Sequence, residues 1–127
     1  TYLDLTKIIE DTSLSVIHKQ LSNSVVSLSN TTTWILDTFP SDPQTVTAGA
    51  TQFTQMLGIT IGGWLMAKSA SKSVKSLQTD TENRIYLEAK IYTAQFFADQ
   101  YLSQVPTLEV LIKTAGRPLQ RESEEHF

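Results

Sequence analysis

The sequence predicts an all-α fold, an up-and-down helical bundle of three long helices closed by a short C-terminal one. Apolar residues recur at steps of three and four along most of the chain. No stretch sustains the period-two alternation of a half-buried strand. Prolines and capping residues stand where a helical pattern should stop and restart.

The first helix carries an apolar seam at Leu14, Ile17, Leu21, Val25, Leu28, Thr32, Ile35 and Phe39. Its alternating steps suit packing against near-parallel neighbours. Leu5, Ile8 and Ile9 begin the helix earlier, and the phase slips at Asp11–Ser13, which predicts a kink or break there. Ser22, Ser24, Ser27 and Thr31–Thr33 lower the intrinsic propensity, so tertiary packing must hold this helix. Pro40 ends it, and Asp42-Pro43 reads as an N-cap with proline at the first helical position. The second helix is expected over 43–77. Thr79-Asp80-Thr81-Glu82 has capping-box spacing and predicts a third helix from there to about Gln104, before Pro106. A short helix over 106–114 is expected to end with Gly116 as its C′ residue, and Pro118 blocks continuation. Residues 117–127 read as a loose charged tail. The whole chain, 1–127, reads as one domain.

Composition narrows the function classes. The 127 residues are 40% hydrophobic and 18% charged, with a formal net charge of −3. No basic block marks a nucleic-acid partner or a polybasic membrane anchor. The sequence has no cysteine, which excludes disulfides and thiolate metal sites and fits a reducing, cytoplasmic setting. The longest apolar run, 56–67, is too short to span a bilayer and is interrupted by Thr60 and three glycines. No membrane partner is expected. The start at Thr1, without a leader-like segment, suggests a fragment of a longer protein.

Two of the helices are apolar on two faces. On the second, Val46, Ala50, Phe53, Leu57, Ile61 and Trp64 form one seam. Met56, Ile59, Gly63, Met66, Ala70, Val74 and Leu77 form another. On the third, Ile85, Ala89, Tyr92 and Phe96 lie nearly opposite Leu87, Ile91, Ala94, Ala98 and Leu102. Glu88, Gln95 and Asp99 make one polar strip between them, and Glu82, Thr93 and Lys90 the other. A helix with a single neighbouring surface has one apolar stripe, so a second stripe implies a second neighbour. The candidate interface is Met66, Ala70, Val74, Leu87, Ile91 and Leu102, with a two-fold homodimer as its simplest use. Gly58 and Gly62, with Gly63 and Trp64 beside them, are read as helix-packing residues, because interior glycines cost stability unless a backbone approaches closely.

Catalytic chemistry is not visible. Glu10, Asp11, Glu82, Glu88 and Asp99 fall on polar strips or helix ends rather than converging. Neither His18 nor His126 has a partner at metal-ligand spacing. His18, followed by Lys19-Gln20-Leu21, admits a histidine-phosphotransfer bundle as an alternative within the wider class of independent interaction or adaptor modules, although its spacing departs from that pattern. The glycines at 58, 62 and 63 sit inside a helix and not between a strand and a helix, so they are no nucleotide fingerprint. No catalytic, cofactor-binding or metal residue is assigned.

Leu57-Gly58 followed by Gly63-Trp64-Leu65, and the run Glu88-Ala89-Lys90-Ile91-Tyr92-Thr93-Ala94-Gln95-Phe96-Phe97-Ala98, resemble the second and third helices of the C-terminal domain of bacterial acyl-CoA dehydrogenase-like flavoproteins. The segment Leu108–Gly116 is similar to that family's closing helix. The resemblance spans about 31–116. It implies a non-catalytic bundle behind a dehydrogenase core that oxidises an acyl-CoA thioester to its α,β-unsaturated product, with FAD as hydride acceptor. The base and the FAD site of such enzymes lie in the core, so the resemblance places no cofactor in this chain. Its implied partner is the upstream core or a neighbouring subunit.

Overall fold

The computed structural model describes residues 2–80 and 82–119, with side chains described from residue 12 onward. Its described residues are helical, without strands: α1 (Tyr2–Thr38), α2 (Pro43–Ala48), α3 (Ala50–Leu77), α4 (Arg84–Gln100) and α5 (Val105–Thr114), with a 3₁₀ turn at Leu102–Gln104. The helices α1, α3 and α4 pack on one another, and α5 packs on α1 and α3 beyond the end of α4. This is the all-α bundle of three long helices and a short closing one, with one further short helix, α2, at its base.

The helix α1 runs unbroken through Asp11–Ser13, where the apolar pattern slips phase. The inward or outward placing of Leu5, Ile8 and Ile9 lies outside the described residues. The inward face of α1 is offset from the predicted seam and overlaps it in part, since Leu14, Leu21 and Leu28 of the seam pack against the core. Ser13, Ile17, Ser24, Ser27 and Thr31 are buried, whereas Val25, Thr32 and Phe39 are exposed. The reason is close packing. The facing surfaces of α3 and α4 are built from Gly63, Ala67, Ala70, Ala94 and Ala98, all buried, and small hydroxyl residues let α1 approach them. Burying a hydroxyl costs little once it is hydrogen-bonded. Ser13 donates to Gln95 Oε1 at 2.6 Å, and Thr31 donates to the Ser27 carbonyl at 2.7 Å.

The chain turns at Thr38–Asp42, and Asp42 caps α2 by accepting from the Thr45 backbone N–H at 3.2 Å, with Pro43 at the first position. The expected single helix over 43–77 is divided at Gly49, whose φ of −97° and ψ of 9° leave the helical region. Between α3 and α4, the expected capping box is replaced by Asp80. Its carboxylate accepts from the backbone N–H groups of Glu82 and Asn83 at 3.0 and 3.1 Å, and from the Asn83 side-chain amide at 3.0 Å. These hydrogen bonds, Asn83's side chain first, hold the Asp80 carboxyl below the usual aspartate range. Thr81 lies outside the described residues, and α4 begins only at Arg84.

The third long helix ends at Gln100 and not at Gln104. Pro106 explains this. In an α-helix the Leu102 carbonyl would accept from the N–H of residue 106, and proline has none. The backbone tightens so that the Val105 N–H bonds to that carbonyl, and the buried Ser24 hydroxyl donates to it at 3.1 Å. The short helix α5 then continues along α1 and α3.

Two apolar clusters result. Ile17, Ala67, Ala70, Ile91, Ala94, Ala98 and Leu102 fill the half closed by α4. Met56, Val105, Leu108 and Ile112 fill the half closed by α5, supported by Leu28, Trp34 and Phe53. Ile59 packs against both. Residues 117–119, read from the sequence as loose tail, have helical backbone; residues 120–127 lie outside the described residues.

Candidate docking surface

The helix α4 turns Ile91, Ala94 and Ala98 to the core, which places Ile85, Ala89, Tyr92 and Phe96 on the opposite side. These four form an exposed stripe about three turns long. Ile85 is 86% exposed and Phe96 60%. Glu88 and Asp99 flank it, and Glu88 is paired with Arg84 at 2.9 Å. On α3, Ile61, Trp64 and Leu65 are each about half exposed. Single exposed apolar side chains are ordinary on soluble proteins; a continuous stripe on one helix is a candidate interaction surface.

This corrects the choice of seam. The sequence shows two apolar seams on each helix, but the candidate interface falls on the wrong one. Ala70, Ile91 and Leu102 are core residues, between 0 and 2% exposed. Met66 and Val74 pack against that core, and Leu87 is half-buried. The composition of the seams gives the reason. Helix–helix contact in this bundle is made by the alanine-rich seam, and the bulky aromatic seam is left outside.

The packing glycines separate as well. A Cβ on Gly63 would lie 2.5 Å from a methyl of the buried Leu102, and one on Gly62 would lie 3.1 Å from the tip of the Phe97 ring. A Cβ on Gly58 would meet nothing within 4 Å, so Gly58 makes no close packing contact within this bundle. Trp64 faces outward, with the Lys68 ammonium 4.5 Å from its ring centroid. The close backbone approaches lie elsewhere. A Cβ on Gly49 would be 3.0 Å from the Ile112 carbonyl oxygen, and one on Gly116 would be 2.7 Å from the Thr45 Cα. Gly116 has no positive φ, so it is not a left-handed C′ cap. Nothing local in the sequence marks these two contacts, since both depend on how α5 docks against the α2–α3 junction.

Between α1 and α3 lies an open groove of about 310 Å³ lined by His18, Leu21, Trp64, Ala67, Lys68, Ser71 and Lys72. His18 is exposed on its edge. Among the described residues, no three histidine, cysteine or acidic side chains stand together as a metal site would require. The Lys113–Glu109 pair, at 2.7 Å, is an ordinary i,i+4 contact. Among the described residues, no helix is long and apolar enough to cross a membrane.

The family described as acetyl-CoA dehydrogenase C-terminal like matches residues 3–120, nearly the whole described bundle. The chain belongs to this family. No protein of curated function and no solved structure matches it. Membership associates the bundle with acyl-CoA dehydrogenases, and the exposed α4 stripe is one apolar surface that the core of this bundle leaves uncovered.

Proposed function

We propose that the chain is a non-catalytic structural and docking domain of an acyl-CoA dehydrogenase-like enzyme. The observation that carries this reading is the uncovered stripe Ile85–Ala89–Tyr92–Phe96, on a helix whose other face is already buried. Family membership supports an acyl-CoA dehydrogenase-like parent. The stripe packs against the dehydrogenase core or a neighbouring subunit, and in the isolated chain against a second copy. The parent reaction is the α,β-dehydrogenation of an acyl-CoA thioester. FAD and the catalytic carboxylate belong to the parent's core, and no residue of this chain takes either role. A cytoplasmic location belongs to the same reading and is compatible with a cysteine-free sequence.

The purified chain is expected to be colourless and to reduce no dye acceptor when given acyl-CoA. By analytical ultracentrifugation it should sediment as a dimer. Phe96→Glu should give a monomer with unchanged helical circular dichroism, because an unpaired charge buried in an interface costs several kcal/mol, on the order of 3–5. Stoichiometric flavin in the purified chain would overturn the non-catalytic reading. A wild type that stays monomeric at high concentration would remove the argument for pairing through the stripe.

A further inference from the structure

We propose that the groove between α1 and α3 is a second docking surface, and that its occupant is an acidic amphipathic segment of a partner protein. This rests on the docking reading above and adds the chemistry of one partner. The groove has two layers. Leu21, Ala67 and the exposed indole of Trp64 are its apolar part, and Lys68, Lys72 and the His18 imidazole stand around them. The two lysines are one helical turn apart on α3.

The charge around the groove is one-sided, although the chain as a whole carries a net charge of −3. Lys68 and Lys72 line it, none of its lining residues is acidic, and α3 has no aspartate or glutamate; the nearest acid on α1 is Asp11, seven residues before His18. Outside the lining, Lys19 follows His18 on α1 and Lys75 follows Lys72 by about one turn on α3. Lys68 sits over the Trp64 ring instead of pairing with a carboxylate. The α4 stripe has no such basic rim: Asp99 and Glu88, the latter paired with Arg84, lie along one side of it, and Lys90 sits over the Tyr86 ring. The groove therefore disfavours a basic partner, since like charges across an interface are strongly disfavoured.

The apolar floor decides the class of occupant. A small phosphate-like anion would use the ammonium groups and the Ser71 hydroxyl but would leave Leu21, Ala67 and Trp64 in water. A segment with apolar side chains on one face and carboxylates along its edges satisfies both layers, as helix-in-groove recognition does.

The test uses the full chain and a synthetic helical peptide with leucine on one face and glutamate on the other. Calorimetric titration should show binding that weakens as salt is raised, because the rim charges are exposed and screened. Lys68→Glu/Lys72→Glu should bind roughly tenfold more weakly or not at all. Both positions are exposed surface sites, so circular dichroism should be unchanged. Trp64→Ala should also weaken binding, whereas a glutamate–serine peptide should not bind. The proposal is overturned if the peptide does not bind at millimolar concentration, or if the charge-reversed chain binds as well as wild type. It is equally overturned if the glutamate–serine peptide binds as tightly, or if pyrophosphate alone saturates the groove, which would make it a small-anion site. None of these outcomes touches flavin content or assembly through Phe96, which test the docking reading separately.

Discussion

Ser24 shows how one buried hydroxyl serves two helices. Its proton is shared between the Gln20 carbonyl at 2.8 Å and the Leu102 carbonyl at 3.1 Å, the acceptor that Pro106 leaves without a helical donor. Ser24→Ala should cost about 0.5–1.5 kcal/mol by urea denaturation, since Val105 still serves that carbonyl. A neutral result would show that the shared bond contributes nothing. The glycines give a sharper contrast. Gly116→Ala places a methyl against the Thr45 backbone, which cannot swing aside, and overpacking of this kind costs typically about 1–3 kcal/mol. Gly58→Ala should instead stabilise by about 0.5–1 kcal/mol, because the site is open and alanine favours the helix. The pair of midpoints measures both. The sequence marks Gly58 and Gly62 by their spacing, but spacing cannot tell a glycine under another helix from one facing water.

At the scale of elements, α3 and α4 each have more than one plausible inward face, and hydrophobicity alone does not rank them. For α4 the aromatic seam is the more apolar to the eye, yet Ile91, Ala94 and Ala98 are the buried set. Ile91→Glu should therefore unfold the chain, with loss of helical circular dichroism, rather than release a folded monomer. Retained ellipticity in that variant would mean that Ile91 lies at an interface after all. The turn between α3 and α4 gives a pH prediction. The Asp80 carboxyl titrates below its unfolded value of about 4, so its contribution is present above that pH and is lost as pH falls through the lower folded value. Asp80→Asn should flatten this part of the acid limb in a stability–pH profile. An unchanged limb would show that the turn does not depend on the carboxylate.

For the whole molecule, the bundle is two apolar clusters in series, with Ile59 touching both and α1 and α3 running through both. A shared pair of helices should make unfolding a single transition. Trp34 reports the α5 half, so its emission in a Trp64→Phe background should lose signal together with far-ultraviolet ellipticity during urea denaturation. Two separated midpoints would show that the half closed by α5 unfolds as a unit of its own. The outer surface carries both an aromatic stripe on α4 and a lysine-rimmed groove between α1 and α3.

The sequence by itself determined the helical class, the three long helices to within about five residues at their ends, and the cap at Asp42, but neither the division at Gly49 nor the continuity of α1 through Asp11–Ser13. What it determined depends on periodicity, proline and short-range hydrogen bonds, all of which act within a turn or two of chain. It also determined that two helices carry a second apolar face. Only the tertiary structure decided which face is which. Close packing of α1 against α3 and α4 selects small residues, so Ser13, Ser24, Ala70 and Ala94 go inside while Trp64, Tyr92 and Phe96 stay out. That choice depends on the distance between helices, a quantity no single helix specifies.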